Sequence, residues 1–168
     1  QKKLVYATKS GWVLENGALT GNDNPNADPE ILVAIGELAT SIGAADITEI
    51  EFITTAFDVS DGGTLQVRVR FNEEVDVTGT PQLTVVNDSR ANHTLSYASG
   101  TGSNELVFSL TIAAGGGGVI AADDELSIGA NATALNGGTI KDKGTNTAST
   151  ITNVASIGTA AGTITATS

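Results

Sequence analysis

The chain has 168 residues, contains no Cys, and carries 19 acidic against 8 basic residues, for a formal net charge of −11. This length suggests one domain, or one domain with an extension, and allows a buried core without disulfides or thiolate metal sites. The acidity argues against nucleic acid and anionic membranes as partners, because phosphate binding needs clustered Lys and Arg. No apolar run reaches the roughly 20 residues that a membrane span needs.

Residues 1–46 form a predicted N-terminal extension. Three of the eight basic residues lie within its first nine positions. Its apolar and aromatic residues near the start of the chain are Leu4, Tyr6, Trp12 and Val13. Aromatic rings bury a large area while keeping a polar group, so we predict that these four residues contact a partner or a second copy. A sugar-stacking platform made by Tyr6 and Trp12 is the alternative.

The secondary structure of residues 29–42 has two interpretations. Asp28, Pro29 and Glu30 are typical of a helix N-cap, first position and acidic first turn. The apolar positions that fit one helix face are Ile31, Leu32, Ile35, Leu38, Ala39 and Ile42. The pattern favours a helix over 29–42. A short strand over 31–35 is the alternative, since Gly36 costs a helix about 1 kcal/mol.

From Ile47 the sequence predicts strands separated by turns. Residues 64–86 alternate strictly, which puts Leu65 on a buried face and Arg68 and Arg70 on a wet face. The predicted core residues are Val67, Val69, Phe71, Leu83, Val85, Tyr97, Leu106, Phe108 and Leu110. Seven or more short strands indicate a mainly β protein, an antiparallel β-sandwich over 47–142. The Thr/Gly/Ala-rich tail, 143–168, is expected to add a last strand near 162–166.

Residues from about Thr55 to Asp142 resemble the bacterial Ig-like repeats called SwmB-like, after a cyanobacterial cell-surface protein. The matching segments are VRVRFNEEVDVTGTPQLTV, LSYASGTGSNELVFSLTI and ALNGGTIKD. The resemblance implies an Ig-like sandwich that serves as a spacer or display module in adhesins, or on the virions of marine and cyanobacterial phages. It implies no catalytic residues. Adhesins carry many copies, whereas this chain has a single VTGTPQL segment.

The candidate catalytic residues do not form a known constellation. His93 is the only histidine, so we expect neither a His-based triad nor a multi-His zinc site, and we predict that it lies on the surface. Glu73 and Glu74 are adjacent on a strand and should point to opposite faces, so they cannot flank one glycosidic bond unless a bulge intervenes. We therefore expect no enzymatic activity.

Calcium is the cofactor that is hardest to dismiss. Asp58 with Asp61, and the run Asp123, Asp124 and Glu125, place carboxylates in loops of the kind that bind Ca²⁺. Neither cluster has the EF-hand spacing, so we predict solvated loop acids and no cofactor. The run Gly115–Gly118 is not a P-loop, and it is interpreted as a flexible loop or a point of close approach.

These observations predict a non-enzymatic structural protein of the virion surface. The favoured interpretation is a phage head decoration protein. Residues 1–46 would bind the capsid shell or another virion protein, and many identical copies would form a homo-oligomeric array. Nucleic acid and membranes are not expected partners. The alternatives are an Ig-like module of a secreted bacterial surface adhesin, located at the cell surface, and a carbohydrate-binding β-sandwich.

Overall fold

A computed structural model of the chain describes residues 5–8, 11–14, 30–34 and 43–168. The chain divides into two compact units, residues 1–42 and 43–168. The second unit therefore begins a few residues before the expected boundary at residue 46, and it includes the segment expected to form a tail.

The first unit contains a three-stranded antiparallel sheet with its second strand in the middle. Its strands are β1 (Val5–Thr8), β2 (Gly11–Leu14) and β3 (Glu30–Ala34). Trp12 pairs with Ala7 on β1 and with Val33 on β3, and the β2–β3 register shifts directly after Trp12. Val13 is buried, with 5% of its surface exposed.

The predicted helix over residues 29–42 is wrong for 30–34, which form β3 instead. The alternative strand over 31–35 is the correct interpretation of these residues. Ile31 and Val33 are β-branched and favour an extended backbone, and pairing with β2 satisfies their backbone hydrogen bonds. Residues 29 and 35–42 of that prediction lie outside the described residues, as does Leu4.

The second unit is mainly β, a curled mixed sheet of ten strands with one short α-helix among the described residues. The strands are β4 (Ile47–Phe52), β5 (Phe57–Asp58), β6 (Gly63–Thr78), β7 (Gln82–Asn87), β8 (His93–Ser99), β9 (Ser103–Ile112), β10 (Glu125–Ser127), β11 (Thr133–Ala134), β12 (Thr139–Asp142) and β13 (Ile164–Thr167). A 3-10 turn spans Gly116–Gly118, and the helix α1 spans Ala155–Ala160. The fold is sandwich-like, and its Ig-like assignment stays a prediction.

The strand order is β12-β6-β9-β8-β7-β10-β13-β5, with β4 added to β6 and β11 added to β7. Neighbouring strands are antiparallel, except that β13 and β5 are parallel. The 16-residue strand β6 pairs with β9 along one edge. Along its other edge it pairs first with β4 and then with β12. One long strand therefore connects β4, β9 and β12 in the curled sheet.

The core lies on the face of β6 that the alternation predicted. Seven of the nine predicted core residues are at most 2% exposed, and the other two, Tyr97 and Leu110, are half-buried against the same cluster. The last strand predicted near 162–166 is present as β13. It contributes Ile164 and Ala166 to the core, so the C-terminal residues help to complete the second unit.

The opposite face of β6 carries a ladder of ion pairs. Arg68 pairs with Glu51 and Glu105, and Arg70 pairs with Glu49 and Glu105. These side chains join β4, β6 and β9, and the two arginines are about one third exposed. Both arginines are thus engaged by carboxylates within the chain. The described residues contain no helix that is long and apolar enough to cross a membrane.

Candidate functional site: a groove between diverging strands

A groove opens where β8 and β9 separate. The β8–β9 register ends at the pair Ser96 and Ser109. Nevertheless, β8 stays paired with β7 to its first residue, and β9 stays paired with β6 to its last. The resulting groove has a volume of about 720 Å³ and is lined by residues 89–94, 110–113 and 116–119. This size lies in the range of small-molecule sites, roughly 300–1,000 Å³.

Backbone groups border this groove on both sides. The N–H of Tyr97 donates to the carbonyl of Pro81, which lies on the β7 side of β8. Because backbone groups alternate in direction along a strand, those of Thr94 are directed towards β9. Thr111 is the corresponding residue of β9, and neither residue has a partner in the β8–β9 register. Polar backbone atoms of both strands are therefore available at the groove.

Asn87, at the end of β7, organises the loop beside the groove. It is 4% exposed. Its Oδ1 accepts hydrogen bonds from the N–H groups of Ser89 (3.0 Å) and Arg90 (2.9 Å), which close the turn after β7. Its Nδ2 donates to Oδ2 of Asp124 (3.0 Å) and lies 3.4 Å from Nε2 of His93. One buried amide thus connects the turn to two titratable side chains.

Asp124 is a buried carboxylate with several donors. Besides Asn87, the N–H of Ala121 and Nε of Arg90 each lie 3.0 Å from its Oδ2. These interactions, led by the hydrogen bond from Asn87, hold the pKa of Asp124 below its usual range against the effect of burial. The carboxylate therefore stays ionised and holds the guanidinium of Arg90 in place.

The prediction of solvated loop acids is wrong for Asp124, which is only 4% exposed. It is correct for the neighbouring Asp123 and Glu125, which are exposed. Pairing of β10 with β7 brings Asp124 to Asn87, a contact that the local sequence does not reveal. Asn87 itself was missed by the sequence analysis. Asn87 continues the buried alternation of Leu83 and Val85, and this pattern would have indicated a buried polar residue at the end of β7.

The prediction that His93 lies on the surface is wrong, because the residue is 4% exposed. His93 shares the parity of Leu95 on β8, so its side chain lies on the buried face. Burial lowers the pKa of His93, while the nearby charge of Asp124 acts in the opposite direction. The buried alternation of Leu95 and Tyr97, continued two residues towards the N-terminus, would have predicted that His93 is buried.

The hydrogen bonds of Asn87 favour one tautomer of His93. Because Oδ1 of Asn87 accepts two backbone N–H groups, its Nδ2 is the atom that faces His93. This arrangement favours the tautomer in which Nε2 of the neutral ring is the acceptor and Nδ1 carries the proton. Among the described residues, Nδ1 has no hydrogen-bond partner, and His93 lines the groove.

The other acidic candidates form local contacts. Oδ1 of Asp58 accepts hydrogen bonds from the hydroxyl (2.6 Å) and N–H (2.8 Å) of Ser60, and these bonds lower the pKa of Asp58. Asp61 is exposed. Across the described part of the chain, no three His, Cys, Asp or Glu side chains are grouped so that they could hold a metal ion.

Glu73 and Glu74 have different partners. Glu74 forms an ion pair with Lys143 at 2.7 Å. Glu73 forms a hydrogen bond with Asp142, which is buried, and this bond is the largest cause that lowers the pKa of Asp142. The two adjacent glutamates therefore contact different residues, and they lie where the β6–β9 register shifts, between Arg70 and Val75.

Three of the four predicted contact residues of the first unit, Tyr6, Trp12 and Val13, lie on the paired strands β1 and β2. Tyr6 pairs with Val13, and Trp12 pairs with Ala7. Successive pairs of a ladder belong to alternate faces of the sheet, so the positions of Tyr6 and Trp12 belong to opposite faces of these paired strands. The role of these residues in partner contacts stays a prediction.

No family model matches this chain, and neither a curated protein nor a solved structure matches it. The resemblance to SwmB-like repeats consequently remains a prediction from the sequence segments that carry it.

Proposed function

We propose that this chain is a non-enzymatic structural protein, a display module that decorates the surface of a phage head. In this proposal the first unit, residues 1–42, attaches to the capsid shell, and the second unit, residues 43–168, faces the solvent. The observation that carries the proposal is the division into two compact units of different size and charge.

The charge distribution supports an outward role for the second unit. Residues 43–168 contain 14 of the 19 acidic residues and 5 of the 8 basic residues. Four of these basic residues form ion pairs with carboxylates of the same unit: Arg68, Arg70, Arg90 and Lys143. The remaining acidic surface repels nucleic acid and anionic membranes, and it keeps a densely displayed domain soluble.

The architecture of the first unit supports a role in attachment. A small sheet of three short strands buries little apolar surface of its own and gains stability by packing against a partner. Aromatic residues such as Tyr6 and Trp12 are enriched among the side chains that dominate binding energy at interfaces. A stable contact would bury about 800 Å² on each partner.

The contacts of the buried polar residues support a structural role for them. Asp124 interacts with three donors of the chain, and Asn87 is bonded through both atoms of its side-chain amide. Such interactions hold loops in place and leave these two side chains little freedom for proton transfer. They favour a display module over an enzyme.

The test compares the full chain with a truncated chain that begins at Gly43. Both are examined by circular dichroism and by co-sedimentation with capsid shells that lack the protein. We expect the truncated chain to stay folded and soluble but to remain in the supernatant. The full-length variant Trp12→Ala should bind more weakly, and Lys143→Gln, which changes a solvent-exposed charge of the second unit, should bind normally.

Full binding of the truncated chain would place the attachment site in the second unit and contradict the proposal. An open reading frame that continues through further copies of the VTGTPQL segment would replace it with the adhesin alternative. Absence of the protein from purified virions would exclude the virion role.

A further inference from the structure

The walls of the groove between β8 and β9 offer donors and acceptors in a mixed arrangement. Thr94 and Thr111 are exposed residues that line the groove, and the hydroxyl oxygen of Thr111 lies 3.4 Å from that of Thr64 on β6. The side chain of Asn92 is also at the groove, and its Nδ2 forms no hydrogen bond with the described residues. A hydroxylated ligand suits such walls, because each hydroxyl group can donate and accept.

Arg90 supplies a positioned cation at the same groove. Its Nε is 3.0 Å from the buried carboxylate of Asp124, and its backbone N–H is bonded to Asn87. Its two terminal nitrogens have no ion-pair or hydrogen-bond partner among the described residues, and the side chain is 42% exposed. A planar guanidinium fork held in this way matches the two oxygens of a carboxylate.

The groove also has an apolar wall. Four large aliphatic side chains of this unit are exposed, and Val119, at 48%, is the one of them that lines the groove, beside the half-buried Leu110. A side chain at Gly117 or Gly118 would meet no atom within 4 Å, so the glycine run leaves open space beside Val119. Aliphatic groups beside open space can pack against the C–H face of a sugar ring.

We propose that this groove binds a saccharide unit that carries a carboxylate, of the uronic-acid type. Arg90 holds the carboxylate, the walls at Thr94 and Thr111 bind the hydroxyl groups, and Val119 packs against the ring. The site is independent of the attachment role proposed for residues 1–42. Affinity for a single sugar unit of about a dozen heavy atoms should be on the order of 1 mM.

The experiment is an NMR titration of the full ¹⁵N-labelled chain with sodium glucuronate. Glucose is the control for an uncharged sugar of the same size, and sodium acetate is the control for a carboxylate without a sugar. We expect saturable shifts of the amide signals of Thr94, Thr111 and Gly117 with glucuronate, and roughly tenfold weaker binding of glucose and of acetate.

Variants locate the site and separate it from general charge effects. Arg90→Gln should weaken glucuronate binding about tenfold, whereas Lys143→Gln, which removes the same charge elsewhere, should leave it unchanged. Thr111→Val keeps the β-branched shape and removes the hydroxyl, together with its contact to Thr64, so it tests the groove wall without disturbing Arg90. It should weaken binding severalfold. Circular dichroism of each variant confirms that it is folded.

Three results would overturn the inference. Absence of any saturable shift up to 50 mM glucuronate, about fifty times the expected dissociation constant, excludes the site. Equal affinity for glucuronate and glucose would show that Arg90 does not bind the carboxylate of the sugar. Equal affinity for glucuronate and acetate means that the groove holds an adventitious anion only and does not recognise a sugar.

Discussion

The side-chain amide of Asn87 donates a hydrogen bond of 3.0 Å to Asp124, across 37 residues of chain, and both side chains are buried. This contact joins the end of β7 to the residue that precedes β10. Through it, the turn after β7, the orientation of Arg90 and the environment of His93 depend on one another.

Replacing Asn87 with Ala should lower the free energy of unfolding by about 2–3 kcal/mol. The change leaves the buried oxygen of Asp124 without one donor and the N–H groups of Ser89 and Arg90 without an acceptor. Urea unfolding monitored by circular dichroism measures the loss. Asn104→Ala, at an exposed position of β9, is the control and should change the stability by less than about 0.5 kcal/mol. Equal losses in the two variants would contradict the role of Asn87.

His93 should make the stability depend on pH between about 5 and 7. Burial lowers its pKa in the folded chain, so in this range the unfolded chain binds more protons. The free energy of unfolding should therefore fall as the pH drops below about 6.5, the pKa of an unperturbed His. His93 is the only histidine, so His93→Gln should remove this slope. A wild-type stability that rises on acidification from pH 7 to 5 would contradict the assignment.

Gly116 and Gly117 should respond differently to substitution with Ala. Both have a left-handed backbone, with φ of 73° and 55°, where an L-residue costs about 1–2 kcal/mol. A Cβ at Gly116 would also lie 2.9 Å from Cγ1 of Val59, whereas one at Gly117 would meet no atom within 4 Å. Gly116→Ala should thus lose a further 1–3 kcal/mol, roughly the cost of overpacking. Similar thermal denaturation midpoints of the two variants would refute the close approach.

Phe108→Ala should lower the free energy of unfolding by roughly 3–5 kcal/mol, since the ring is fully buried. Its centroid lies 6.1 Å from that of Tyr97, in an edge-to-face arrangement. Ser109→Ala, on the opposite face of β9, is the matched control and should have little effect. A loss below about 1 kcal/mol for Phe108→Ala would mean that the parity of this strand is wrong.

Removing calcium should have little effect. Treatment with a chelator is expected to shift the melting temperature by no more than about two degrees. A site occupied at a hundredfold excess over its dissociation constant would contribute about 2.7 kcal/mol, which corresponds to a shift of several degrees. A shift of that size would overturn the interpretation of Asp58, Asp61 and Asp123 as residues without a metal.

The sequence was informative wherever one local periodicity dominated. From Leu65 to Phe71 the side chains alternate without exception, and this alone predicted which face of β6 is buried and which carries Arg68 and Arg70. For residues 30–34 the local signals conflicted. A helix-start pattern stood beside an aliphatic run, and the pairing with β2 decided for the strand. A pairing partner distant in sequence is invisible to a local pattern.

The sequence by itself determined the mainly β class, the core of the second unit and its acidity, because alternation and composition are properties of neighbouring residues. Only the tertiary structure decided that Asn87, His93 and Asp124 are buried together and that Arg90 is held over a groove. These residues meet because β10 pairs with β7 and because β8 diverges from β9. Contacts between distant segments depend on the register of the whole sheet, which no single segment encodes.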